Sequence, residues 1–125
     1  MNSGLEWDEH YDRICDATQM LFQAEDMTRV QLEKPLAFQP NTNWNYSSGT
    51  TNLLSGILRK QFKTHQEYLD FWYSALIDKI GMHSMLVETD MTGNYIGSSY
   101  GWATARDWAK FGLLYLHQGN WNGEQ

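Results

Sequence analysis

Apolar residues recur at helical spacing in four stretches, and the gaps between them are rich in turn formers. Ile14, Ala17, Met20-Leu21 and Ala24 fall on one face of a helix predicted over 13–24. A shorter helix is predicted over 25–33, ending before Lys34-Pro35 because the residue before a proline avoids the helical region. Residues 35–45 hold two prolines and three asparagines and read as a loop. Leu53, Leu54, Ile57 and Leu58 then predict a helix from about Ser48 to Phe62. Thr64 can cap the next one, with Glu67 at the capping-box position. Its apolar face runs through Tyr68-Leu69, Trp72, Leu76 and Ile80, and Gly81 closes it.

Residues 84–101 change character. MLVE predicts a short strand, Thr92-Gly93-Asn94 a turn, and YIGSSYG a second extended piece. Thr104 is placed to cap ARDWAKFGLLYLHQG, with Asp107 favourable in the first turn and Gly119 at the end. The expected fold is mainly α, with a short β excursion near 85–98. At 125 residues the chain is one domain or a piece of one.

Composition narrows the function classes. With 42% apolar and 19% charged residues, the chain has material for a core and lacks the bias of disorder. A net charge of −6 and scattered Lys and Arg argue against nucleic-acid binding, which needs a clustered basic surface. Cys15 is the single cysteine, which excludes an intramolecular disulfide and a multi-cysteine zinc site. No stretch approaches the ~20 apolar residues of a membrane span. The MNSGLEWDEH opening lacks the basic-then-apolar order of a signal peptide, so the sequence leaves the compartment open.

Three groups of residues carry candidate chemistry. Asp8, Glu9, His10, Asp12, Cys15 and Asp16 form an acidic cluster that can be read as a hard-metal site or as a solvated lead-in to a helix; the spacing matches no metal motif. Among the tryptophans, Trp72 and Trp108 lie in helical apolar patterns and are read as core, whereas Trp44 and Trp102 flank turns and fit either core or cleft rim. The third group is Tyr46-Ser47-Ser48. A serine there can simply cap the helix. In an extended lead-in, however, residues two apart project to one side, so Tyr46 and Ser48 can face a common cleft. A free phenol titrates near ~10 and needs electrostatic help to act as a base near neutrality. Ser48 would then pass protons or hydrogen-bond a substrate carbonyl.

The runs PNTNWNYSSGTTNLLSGILRK and IGMHSMLVETDMTGNYIGSSYGWATARDWAKFGLLYLHQGNWNG resemble the serine β-lactamase-like family. That family holds penicillin-binding proteins, class C β-lactamases, esterases and 6-aminohexanoate-dimer-type amidases. Its Tyr-x-Asn or Tyr-x-Ser element before a helix matches Tyr46-Ser47-Ser48, and its TARDLA-like helix matches Thr104-Ala105-Arg106-Asp107-Trp108-Ala109. The resemblance implies the helical lobe of an α+β fold. It implies Tyr46 as general base, Ser48 as a second-line donor, and Tyr11, at the place of a loop tyrosine of the amidase-like branch, as a substrate contact. Trp44 and Trp102 are the further candidates for substrate binding. No metal and no cofactor are implied, and the substrate would be a small ester or amide.

The family's nucleophile is the serine of a Ser-x-x-Lys motif. The residues three before the lysines are Gln31, Ile57, Lys60, Leu76 and Asp107, and none is serine. Lys63-Thr64-His65 and His117-Gln118-Gly119 only superficially resemble the late Lys-Thr-Gly or His-x-Gly element. The chain is therefore read as the central helical lobe, residues 1–125, of an esterase- or amidase-type serine hydrolase, inactive alone. Its N-terminal Ser-x-x-Lys part and its C-terminal sheet part would lie outside the chain. Relatives are often exported. A bare sheet-facing surface would promote self-association. The rival reading is a non-catalytic module that binds a ligand or protein through Trp44, Tyr46 and Trp102.

Overall fold

The computed structural model describes all of residues 1–125, and the expected fold class holds: mostly helix, with one small antiparallel sheet. The elements in order are α1 (Asp16–Gln23), α2 (Met27–Leu32), α3 (Ser48–Arg59), α4 (His65–Trp72), a π-helical turn (Tyr73–Ile77), β1 (Leu86–Val87), β2 (Gly101–Trp102) and α5 (Ala105–Leu116). β1 and β2 pair antiparallel, Leu86 opposite Trp102 and Val87 opposite Gly101. The chain divides into two compact units, 1–61 with 88–100, and 62–87 with 101–125.

In the first unit α1 begins at residue 16, three residues later than the apolar spacing predicts. Cys15 precedes it in extended conformation and donates its N–H to the Thr18 hydroxyl at 2.9 Å. Ile14 is left outside the helix and exposed. The core gathers Trp7, Cys15, Ala17, Met20, Met27 and Ile96. α2 packs on α3, and two glycines allow the close approach. A methyl group on Gly56 would lie 2.7 Å from the Thr28 Cβ, and one on Gly49 would lie 2.2 Å from the Gln31 Oε1.

The face that α3 turns inward is small and polar: Ser48, Gly49, Thr50, Asn52 and Ser55 are buried. Leu54 and Ile57, which the spacing assigns to the core stripe, are exposed. Hydrogen bonds account for the inversion. The Ser55 hydroxyl donates to the Tyr95 carbonyl at 2.7 Å, and the Asn52 amide donates to the Ser98 hydroxyl at 3.0 Å. Buried polar groups need such partners. Near the helix end, Arg59 donates to the Thr92 carbonyl and to Asn94 Oδ1. Segment 88–100 turns at Thr92-Gly93-Asn94, as predicted, around the buried Asp90.

The second unit opens on the predicted capping box. Thr64 Oγ1 accepts from the Glu67 N–H at 3.2 Å, and the Glu67 carboxylate accepts from the Thr64 N–H at 3.1 Å. Tyr68 is fully buried on α4, and the π-helical turn that follows shifts the inward register so that Ile77 joins Ile80 and Met82 in the core. Thr104 caps α5 as expected, and its Asp107 accepts from Ser84 N–H and hydroxyl and from Lys110. Trp108 departs from its assignment to the core: it is 42% exposed, while Phe111 and Leu114 of the same helix pack inward.

Candidate functional site

The site is built from two short segments of the first unit. The N-terminal segment supplies Trp7, Glu9 and Tyr11, and the lead-in to α3 supplies Tyr46, Ser47 and Ser48. Ser47 is the N-cap: its backbone is extended and its hydroxyl accepts from the Thr50 N–H at 2.9 Å. The bland role proposed for this junction thus falls to Ser47. Ser48, the first helical residue, is left for something else.

What Ser48 meets is Glu9. One carboxylate oxygen accepts from the Tyr11 hydroxyl at 2.6 Å and from the Ser48 hydroxyl at 2.7 Å. The other accepts from the Ser48 N–H at 2.8 Å and the Trp7 indole at 2.7 Å. A carboxylate offers about four lone-pair positions, so all are filled. Burial opposes ionisation of Glu9, but the donors from Tyr11, Ser48 and Trp7 outweigh it and hold the carboxyl below the usual range. The same contact raises Tyr11: the hydrogen bond to Glu9 is the main cause, with burial and the Glu9 charge adding to it.

Tyr46 is half exposed and lies near enough to Tyr11 to influence its ionisation. Trp44, two residues earlier, is 71% exposed and sits on the surface of the same unit. Trp102 belongs to β2 of the other unit and is half exposed there. Of the sequence candidates, then, Tyr11 and Ser48 are joined through one carboxylate, with Tyr46 beside them.

The acidic cluster dissolves into separate contacts. Asp8 pairs with His10 and Arg13, while Asp16 accepts from Lys34 at 2.6 Å and from the Asp8 N–H. No three acidic, histidine or cysteine side chains are placed to hold a metal ion. Glu9 and Trp7 are the site residues that sequence reasoning missed as such. Local spacing gives no signal for them, because the partners of Glu9 on α3 lie 39 residues away.

A protein-family model described as Beta-lactamase matches residues 1–125. The chain belongs to the beta-lactamase family. No curated protein and no solved structure matches it at a significant level. Membership in the beta-lactamase family supports serine-hydrolase chemistry through an acyl-enzyme in general, while the sequence holds no Ser-x-x-Lys to supply the nucleophile. No helix of this beta-lactamase-family chain is long and apolar enough to cross a membrane.

Proposed function

We propose that these residues form the helical lobe of an esterase- or amidase-type serine hydrolase, with Tyr46 as its proton carrier. The nucleophilic serine and its lysine lie on a segment outside this sequence. The observation that carries the reading is the junction at α3: Tyr46 stands half exposed beside a pre-organised Ser48–Glu9–Tyr11 network rather than in the core. The exposed Leu54 and Ile57 on the outer side of α3 agree with a lobe that further protein covers.

In this mechanism the serine oxygen attacks the carbonyl carbon while its proton passes to Tyr46 and the Tyr46 proton passes to the amine of the motif's lysine, which returns it when the leaving group is protonated. The tetrahedral intermediate collapses with loss of the alcohol or amine, which takes that proton. Water then attacks the acyl-enzyme by the reverse route, and the serine is released. Tyr11 and Ser48 line the substrate side, with Trp44 of the same unit as a further contact.

The test is Tyr46→Phe in the longer protein that carries the Ser-x-x-Lys segment. Acylation by a p-nitrophenyl ester should fall by about 10²–10⁴-fold, the usual contribution of a positioned proton carrier. The melting temperature should stay unchanged, since the Tyr46 hydroxyl is outside the core. Wild-type turnover in the variant would remove Tyr46 from the chemistry.

A further inference from the structure

The protons of the site are already assigned. A serine or tyrosine hydroxyl has one proton to give, and beyond that it can only accept. Both Ser48 and Tyr11 give theirs to the same Glu9 oxygen, at 2.7 and 2.6 Å. Neither hydroxyl can then donate to a substrate carbonyl, the role expected of Ser48 from its place in the motif. The first backbone N–H of α3 is occupied as well, because Ser48 N donates to Glu9 at 2.8 Å. The positive end of that helix is therefore neutralised internally, and it offers little to an anionic ligand.

We infer that Glu9 is a positioning residue that sets the hydrogen-bonding polarity of the site: it leaves Ser48 and Tyr11 as acceptors, so the group they receive is a donor, an amide N–H or an ammonium, rather than a carbonyl or carboxylate. The inference rests on the hydrolase reading for its substrate side and on geometry alone for its proton side. Trp7 completes the arrangement. Its indole is buried and donates to Glu9 at 2.7 Å, so the carboxylate is held from below as well as from the helix. Amides should accordingly be preferred over esters of the same acyl group, because only the amide brings the N–H.

Glu9→Gln tests this with little change of shape. The glutamine oxygen can keep the Ser48 and Trp7 N–H groups, which turns its NH₂ toward the two hydroxyls. They then accept from the protein and free their protons toward the ligand. In the longer, catalytically complete protein, the ratio of kcat/KM for a p-nitroanilide to that for the matched p-nitrophenyl ester should fall about tenfold or more. A variant that had merely lost structure would lower both rates and leave the ratio alone, and equal ratios would overturn the assignment. A second readout needs no turnover: ultraviolet titration of wild type minus Tyr11→Phe isolates the Tyr11 phenol. It should ionise above the ordinary tyrosine value in the wild type and return toward it in Glu9→Gln. An unmoved Tyr11 titration also overturns the assignment. Absence of any turnover in the wild type counts against the hydrolase reading, and the Tyr11 titration then decides the Glu9 role by itself.

Discussion

Gly49→Ala is the substitution that most directly tests how the site is held. The added Cβ would lie 2.2 Å from Gln31 Oε1 and 2.6 Å from Trp7 Cζ3, against ordinary contacts of 3.4–4 Å. Relief requires one neighbour to move by about 1.2 Å, the difference between 2.2 and 3.4 Å. Neither is free to do so. Gln31 is fully buried and its amide donates to the Glu6 carbonyl at 3.3 Å. Trp7 is 7% exposed and tied to Glu9 through its indole. Overpacking of this kind costs about 1–3 kcal/mol. The gain from replacing glycine by alanine in a helix is at most about 1 kcal/mol. An approach of 2.2 Å to fixed neighbours places the overpacking cost in the upper part of its range, about 2–3 kcal/mol, so the net expectation is a loss of about 1–2 kcal/mol, or about 4–8 °C in Tm at this size.

Gly112→Ala is the matched control. Gly112 lies within α5 with nothing inside 4 Å of a built Cβ, so only the helix-propensity gain of about 1 kcal/mol remains. Thermal unfolding followed by circular dichroism should thus move in opposite directions for the same chemical change. Amide hydrogen exchange would assign each effect to its own unit. If Gly49→Ala were as stable as the wild type while Gly112→Ala gained stability, α3 would not be packed on Trp7 and Gln31. The Glu9 network built on that contact would then fall with it.

Two further outcomes are expected. Asp90 is buried and accepts from the N–H groups of Met27, Thr92 and Asn94 and from two side chains. Burial opposes its ionisation, but the bonds from Asn94, Thr92 and Met27 outweigh that and depress its folded pKa. Its contribution is therefore present above the unfolded value near ~4 and lost as pH falls through the lower folded value. Asp90→Asn should cost on the order of 2–3 kcal/mol at pH 7 by setting an NH₂ against donors, and should flatten the fall of the urea midpoint below about pH 4; an unchanged slope would refute it. Leu54→Glu with Ile57→Lys should change the stability of the 125-residue chain by less than about 0.5 kcal/mol, because both side chains are exposed, and should reduce self-association on a sizing column. A large loss of stability would show that the stripe is packed within this chain.

What could be read from the sequence was what neighbouring residues decide among themselves. Ser47, Thr64 with Glu67, and Thr104 each cap through a bond spanning three residues, and each appears where the pattern predicts. Gly81 and Gly119 both adopt positive φ just past helical stretches, the conformation glycine takes most readily. Trp108 shows the limit. Its spacing fits an apolar face, but periodicity carries no information on where a neighbour ends, and a large ring at the edge of a core remains partly exposed. Glu9 was hidden for a similar reason. Its partners on α3 are 39 residues away, and among five other acidic, histidine and cysteine side chains its neighbours suggested a solvated loop.

The apolar residues of α3 announce a helix, and a helix that used them for packing would turn Ser48 and Ser55 to solvent. The opposite occurs because Gly49 and Gly56, seven residues apart, admit α2 at close range, and three buried side chains donate across the face: Ser48 to Glu9, the Asn52 amide N–H to Ser98 (its Oδ1 is left without a partner), and Ser55 to the Tyr95 carbonyl. Burial of a leucine stripe tolerates small rotations of a helix, because dispersion and area are nondirectional. Hydrogen bonds weaken steeply when bent, so three of them along one face fix the rotation of α3 closely. That rotation in turn sets the direction of the chain entering the helix, where Tyr46 stands. A polar inner face is thus the more exact means of placing the phenol proposed as proton carrier. It also leaves Leu54 and Ile57 outward, available to the protein that the proposed nucleophile would bring.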